Sequence, residues 1–94
     1  MTAAEKGKMG EKYVQALYGK KAFKPTSGSN RPDLLLKDGS KLIEVKNVAS
    51  QSMTKQLTRY LNMGYEKNVI YVRLGTKISS ILKNSSFIIK YFPW

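Results

Sequence analysis

Segment 31–47 constrains the fold most, because an Asp-Gly pair lies between two apolar runs. Residues 34–36 are all leucine, and residues 42–43 resume the apolar pattern after Asp38-Gly39. An Asp-Gly pair in this setting is a strong β-hairpin signal, because a two-residue turn needs positive φ at both central positions. We therefore predict a hairpin whose loop residues are Asp38 and Gly39.

The register of this hairpin brings two acids together. Counting outward from the predicted loop, Asp33 faces Glu44. Directly opposed residues have Cβ atoms about 4.5–5.5 Å apart, so the two carboxylates repel each other unless a cation lies between them. Lys46 follows Glu44 by two residues, which puts its side chain on the same face of the strand. A slip of one residue would separate the acids onto opposite faces.

The residue inventory restricts the chemistry. The chain has 94 residues, without any cysteine or histidine, and we expect one domain over residues 1–94. Thiol catalysis, disulfides, Cys/His zinc sites and imidazole acid–base catalysis are therefore excluded. Carboxylates, lysines, hydroxyls and amides are left. No apolar run approaches the roughly 18 residues of a membrane span, so we expect no membrane partner.

The charge balance indicates a polyanionic partner. The chain has 17 Lys and Arg residues against 6 Asp and Glu, which gives a net charge of +11. Such a density favours nucleic acid over a membrane surface, since no segment forms a strongly amphipathic basic helix. Asp33 and Glu44 are two of the 6 acids, and their placement in one patch suggests a cation site.

Periodicity predicts two main helices. The first covers residues 2–18, and Glu11 lies at the edge of its apolar stripe, which comprises Ala3, Gly10, Val14 and Leu17. At that edge Glu11 either points along a sheet that the helix covers or is simply solvated. The second helix covers residues 51–66 and begins with a cap among residues 50–52. Lys55 and Arg59 form a basic ridge on it, which fits backbone phosphates or a solvated face.

The remaining elements surround the hairpin. We predict a short strand over residues 22–24, a buried strand over 69–72 and an edge strand over 87–92. A strand–helix–strand order argues for a parallel crossover between the Glu44 strand and strand 69–72. Thr76 is expected to cap a short helix. The polar loop 25–30 is expected to form one wall of the site, with Ser27 and Ser29 in contact with nucleic acid.

Two opposed carboxylates suit Mg²⁺ or Mn²⁺, which prefer oxygen ligands. The carbonyl of Val45 lies between the two polar side chains and offers a further ligand. Lys46 would position or activate a water molecule, or stabilise charge on a phosphate. These features predict a site for phosphodiester hydrolysis, with Arg31, Lys55 and Arg59 holding the backbone of the nucleic acid. The alternative is a surface salt-bridge cluster of the same three residues, Asp33, Glu44 and Lys46.

The order of elements, with Pro32-Asp33 followed by Glu44-Val45-Lys46, resembles the Pro-Asp…(Asp/Glu)-x-Lys nuclease superfamily. The resemblance implies a restriction-endonuclease-like α/β fold with an αβββαβ core, in which helices flank a mixed central sheet. It also implies a metal-dependent nuclease that uses Asp33, Glu44 and Lys46. Family members add an acid from the first helix, which matches Glu11. Some add a Gln and a Tyr from the helix after the lysine, which match Gln56 and Tyr60.

A closer resemblance covers most of the chain. It is carried by Glu44-Val45-Lys46-Asn47-Val48, by Leu57 and Tyr60-Leu61 around Gln56, by Tyr71-Val72-Arg73 and by Thr76-Lys77-Ile78-Ser79. These residues look like the restriction-endonuclease-fold toxin domain at the C-termini of bacterial polymorphic toxins. That likeness implies secretion within a larger protein, action in the cytoplasm of a neighbouring cell and neutralisation by a cognate immunity protein.

Several functions fit this pattern. A DNA endonuclease toxin is our first expectation. The alternatives are a toxin of the same fold that cleaves transfer RNA, an enzyme like the Holliday-junction resolvases, which act as homodimers, and a non-catalytic module that binds nucleic acid.

Overall fold

The computed structural model describes residues 1–26 and 31–93. The described helices are α1 (Ala3–Tyr18), α2 (Lys55–Leu61) and α3 (Ser80–Lys83), and a 3₁₀ turn (Gly19–Lys21) follows α1. The strands are β1 (Ala22–Phe23), β2 (Leu34–Leu36), β3 (Lys41–Lys46), β4 (Ser50–Gln51), β5 (Lys67–Val72), β6 (Lys77–Ile78) and β7 (Phe87–Tyr91). The predicted α/β class is therefore confirmed. Within the described ranges, no helix has both the length and the apolar character needed to cross a bilayer.

The central sheet is mixed and has the strand order β1-β2-β3-β5-β7. Strands β1, β2 and β3 pair antiparallel, whereas β3, β5 and β7 pair parallel to one another. Helix α2 lies in the connection between β3 and β5, as the predicted crossover requires. The restriction-endonuclease-like arrangement of a mixed sheet flanked by helices is thus confirmed. Strands β4 and β6 form a separate two-stranded parallel ladder.

The hairpin has the predicted register but a different turn. Leu34 faces Ile43 in the ladder, which is the register that sets Asp33 opposite Glu44. Positive φ occurs at Gly39, at 76°, but at no non-glycine residue in the described ranges, so Asp38 lacks it. The Gly39 N–H bonds the Leu36 carbonyl at 3.0 Å, and residues 37–40 form a four-residue loop. The register survives because the longer loop adds one residue to each side of the predicted pair.

Two apolar layers cover the two faces of the sheet. One contains Val14 of α1, and the other contains Leu57 of α2 and Leu82 of α3. Neighbouring residues of β3 divide between the layers, since Ile43 packs in the first and Leu42 in the second. This division follows from the two-residue period of a strand. Helix α1 therefore covers one face, while α2 and α3 cover the other.

Helix α1 lies close to β3 because Gly10 has no side chain. An added Cβ at Gly10 would lie 2.8 Å from Cζ of Phe92 and 3.0 Å from Cγ1 of Val45. Gly10 and Val14 are buried as predicted, whereas Leu17 is 53% exposed and Ala3 is exposed as well. The predicted stripe is wrong at those two positions, and at the C-terminal end of the helix Tyr18, rather than Leu17, packs against the core.

The second helix is shorter than predicted. Its N-cap is Thr54, whose side chain accepts a hydrogen bond from the Leu57 N–H at 3.2 Å, rather than a residue among 50–52. Residues 50–51 instead form β4 and pair with β6. Gly64 adopts a φ of 87°, which a continuing helix does not allow. The pairing of β4 with β6 before the helix and the turn at Gly64 after it thus limit the length of α2.

The cap of the third helix also differs from the prediction. Ser79 caps α3, since its hydroxyl accepts a hydrogen bond from the Leu82 N–H at 3.2 Å. The Thr76 hydroxyl instead donates to the Val48 carbonyl at 2.8 Å and joins the segment after β3 to the segment after β5. The prediction failed because a threonine hydroxyl bonds equally well to a nearby carbonyl.

Candidate active site

Asp33, Glu44 and Lys46 form one network just past the end of the β2–β3 ladder. The Asp33 N–H donates to Oε1 of Glu44 at 3.0 Å, and the Val45 N–H donates to Oδ2 of Asp33 at 2.7 Å. Nζ of Lys46 lies 3.6 Å from Oε2 of Glu44. The sequence therefore predicted the juxtaposition of these three side chains correctly. Backbone N–H groups, which no pattern of side chains reveals, hold both carboxylates in place.

Burial dominates the electrostatics of Glu44, which is 2% exposed. Desolvation raises its pKa to about 9, and a side-chain hydrogen bond with Asp33 and the Asp33 charge add to the rise. The ammonium of Lys46 and the Asp33 N–H act in the opposite direction but do not cancel the effect. A proton or a bound cation is therefore needed to relieve the repulsion between the two acids.

Glu11 joins the same group from α1. Burial raises its pKa, and a side-chain hydrogen bond with Asp33 and the Asp33 charge raise it further. The charge of Lys24, whose Nζ lies 4.0 Å from Oε2 of Glu11, opposes the rise. Asp33 thus interacts with Glu44 on one side and Glu11 on the other. Over residues 1–26 and 31–93, no group of three or more His, Cys, Asp or Glu residues is arranged to hold a metal ion.

The donor set nevertheless fits a hard divalent cation. Mg²⁺ is commonly bound by one or two carboxylates together with water and substrate phosphates, so a cage of three acids is not required. Asp33 and Glu44 supply two carboxylates. The N–H and C=O of a strand residue point to the same side, so the Val45 carbonyl lies on the Asp33 side of β3. Oxygen donors of this kind suit Mg²⁺ and Mn²⁺.

Tyr60 approaches the acids from α2. Its side chain is fully buried, and its hydroxyl donates to the Arg31 carbonyl at 2.8 Å. Burial raises its pKa, and the charges of Glu44 and Asp33 raise it further. Tyr60 therefore lies near both acids and fixes the backbone two residues before Asp33. The sequence placed Tyr60 on the correct helix but gave no sign of its bond to Arg31.

The other predicted site residues lie around this centre. Arg31 is exposed, as are Lys55 and Arg59, which line a surface cavity of about 410 Å³ at the start of α2. Gln56 is half-buried on α2, and in the described part of the chain no hydrogen bond joins it to the acids. Ser27 and Ser29 lie outside the described residues.

Comparison with known protein families identifies the chain. A family model described as Restriction endonuclease fold toxin 7 matches residues 4–82, a span that contains Glu11, the hairpin and α2. No curated protein and no solved structure matches the chain significantly. The family match covers well over half of the chain, and the mixed sheet flanked by helices agrees with it. The chain therefore belongs to the restriction endonuclease fold toxin family.

Proposed function

We propose that this protein is a divalent-metal-dependent nuclease toxin that hydrolyses phosphodiester bonds, with DNA as its substrate. The observation that carries the proposal is the network of Asp33, Glu44 and Lys46 at the end of the β2–β3 ladder. Membership of a restriction endonuclease fold toxin family suggests a nuclease toxin and supports the same conclusion. A surface salt-bridge cluster does not account for an acid as deeply buried as Glu44.

Each member of the network has a role in this proposal. Asp33 and Glu44 would hold Mg²⁺ or Mn²⁺, with the Val45 carbonyl and Glu11 as auxiliary ligands. The ion, when bound, supplies positive charge that stabilises the phosphoryl oxygens as negative charge develops. Lys46 keeps an ammonium group beside Glu44, where it orients the attacking water and balances charge on the phosphate.

The surroundings of the acids would hold the substrate. A net charge of +11 favours a nucleic acid backbone. Arg31, Lys55 and Arg59 are exposed cations that would contact phosphates, and Tyr60 orients Arg31 through its backbone. Gln56 would supply a polar contact from α2, and Ser27 and Ser29 are proposed to contact the nucleic acid. Action in the cytoplasm of a target cell, after delivery within a larger protein, and inhibition by an immunity protein complete the proposal.

Cleavage assays with matched variants test this function. The protein is incubated with supercoiled plasmid and with total RNA, each in Mg²⁺, Mn²⁺ or EDTA. We expect plasmid cleavage in either metal and none in EDTA. Lys46→Met should lose roughly 100-fold or more in rate. Lys67→Met, at the opposite end of the parallel strands, is the control and should retain wild-type activity.

The outcomes separate the alternatives. Cleavage of RNA alone would identify an RNA-cleaving toxin instead. Full activity in folded Lys46→Met or Glu44→Ala protein would refute the assigned site. Nucleic acid binding without cleavage, together with no heat of Mg²⁺ binding in calorimetry, would identify a non-catalytic binding module.

A further inference from the structure

A cavity of about 350 Å³ opens beside the acids, where α1 faces the β1–β2 edge of the sheet. Glu11 and Asp33 line it, so the cavity and the reaction centre share a wall. We propose that this cavity receives a nucleobase of the substrate, the one adjoining the scissile phosphodiester. The proposal rests on the nuclease function proposed above. A base is joined to its own phosphate through one sugar, so a phosphate at Asp33 brings its base within reach of the cavity.

The lining suits a flat, largely apolar ligand with phosphates at its edge. Leu34 and Ala16 present apolar surface, and the stems of Lys12 and Lys24 extend it. Both lysines are exposed, so their ammonium groups can meet the backbone phosphates on either side of the base. The volume falls within the roughly 300–1,000 Å³ of small-molecule sites. Burial of apolar area on such a surface would hold an unpaired base.

Gln15 gives the cavity a means of reading the base. Its Nε2 donates to the Gly19 carbonyl at 2.9 Å and to the Ala22 carbonyl at 3.4 Å. These two carbonyls occupy both donors and fix the orientation of the carboxamide. Gln15 lines the cavity, and its Oε1 is the acceptor that these bonds leave for an exocyclic amino group on a base. Gln15 is therefore assigned as a specificity-determining residue that favours adenine, cytosine or guanine over thymine or uracil.

Two alanine-to-leucine substitutions on α1 test whether a base occupies the cavity. Ala16→Leu fills the cavity, whereas Ala4→Leu adds the same side chain at another exposed position of the helix, outside the cavity. Leucine and alanine are both good helix formers, so both variants should fold. Each protein is given an oligonucleotide with a mapped cleavage site and the same oligonucleotide with an abasic residue beside that site.

The effects of the cavity-filling substitution and of the abasic residue should not be additive. The abasic residue should lower kcat/KM of the wild type and of Ala4→Leu by about tenfold, as expected for loss of the apolar burial of one base. Ala16→Leu should lower kcat/KM by a similar factor on the intact substrate, and the abasic residue should then cause no further loss in this variant. The same oligonucleotides, measured by fluorescence anisotropy in EDTA, should give the same pattern in Kd. That binding comparison is independent of cleavage.

Gln15→Met tests the reading of the base. Cleavage sites mapped on a random-sequence library should show a wild-type preference at one flanking position, and the variant should reduce it by about fivefold or more. A preference is a ratio, so partial unfolding of the variant does not alter it.

The proposal is overturned if Ala16→Leu gives the same kcat/KM and Kd values as Ala4→Leu. It is also overturned if the fold-loss caused by Ala16→Leu and the fold-loss caused by the abasic residue multiply in full when the two are combined. Wild-type protein that binds the oligonucleotides but cleaves nothing would refute the nuclease function instead. In that case the Kd comparison still decides whether the cavity holds a base.

Discussion

Replacing Glu44 by Gln should remove a pH dependence from the stability of the protein. Burial raises the pKa of Glu44 to about 9 from an ordinary value of 4.5. Between these two values the folded state keeps a proton that the unfolded state releases, so the free energy of unfolding falls as pH rises. The stability contribution is fully present below about pH 4.5 and is lost as pH rises toward 9.

The size of the effect follows from linkage. One proton held only by the folded state lowers the free energy of unfolding by at most about 1.4 kcal/mol per pH unit. From pH 5 to pH 8 the upper limit is therefore about 4 kcal/mol. The amide introduced by Glu44→Gln is neutral without binding a proton, and its oxygen still accepts the Asp33 N–H. The variant should thus gain stability over the wild type, and the gain should grow with pH.

Urea unfolding in EDTA at pH 5, 6, 7 and 8 measures this gain. Titrating groups away from Glu44 affect both proteins alike, so the difference between their free energies of unfolding at each pH reports on Glu44 together with Asp33, whose side chain interacts with it. Glu66→Gln, a change at an exposed glutamate, serves as the control. Its plot of the free energy of unfolding against pH should be parallel to that of the wild type. Parallel curves for Glu44→Gln and the wild type would refute the argument, because Glu44 would then titrate alike in the folded and unfolded states.

Added Mg²⁺ extends the same measurement. A cation that binds at Asp33 and Glu44 must displace the proton, so it should stabilise the wild type more at pH 8 than at pH 6. Glu44→Gln should gain much less from Mg²⁺ at either pH. Equal stabilisation of both proteins would mean that the ion binds elsewhere.

Four further perturbations have expected outcomes. Gly10→Ala should lower stability by about 1–3 kcal/mol in urea unfolding, because the added Cβ meets Phe92 at 2.8 Å. Gly7→Ala, with no atom within 4 Å, should instead raise stability by about 0.5–1 kcal/mol, and stabilisation by both changes would contradict the close packing of α1. Tyr60→Phe should lower the free energy of unfolding by about 1 kcal/mol and reduce kcat, because the 2.8 Å hydrogen bond from the Tyr60 hydroxyl to the Arg31 carbonyl is lost. An unchanged kcat would exclude a positioning role for Tyr60. Binding to DNA in EDTA should weaken steeply with added salt, and a salt-independent Kd would exclude phosphate contacts.

The hairpin was predictable because its determinants are local. An Asp-Gly turn and the apolar runs beside it set the register, and the register sets Asp33 opposite Glu44. The start of α1 is likewise set by local contacts, since the Thr2 and Glu5 side chains form a capping box there.

The features that the sequence did not reveal depend on contacts between distant segments. Pairing of β4 with β6 excludes residues 50–51 from the second helix, although the sequence offers cap residues there. The hydrogen bond from Tyr60 to Arg31 joins residues 29 positions apart in the chain. The cavity beside Glu11 requires α1 and the β1–β2 edge to be placed in space first.

The same bonds fix the register and build the site. Each acid accepts a backbone N–H from the opposite arm of the hairpin, Glu44 from Asp33 and Asp33 from Val45. A slip of one residue would break both bonds and separate the carboxylates, so the hairpin cannot shift without losing the site. These bonds hold together two acids that repel, and Lys46 at 3.6 Å leaves the pKa of Glu44 at about 9. The arrangement therefore favours a further positive charge, which a proton supplies at low pH and which the proposed divalent cation would supply at higher pH.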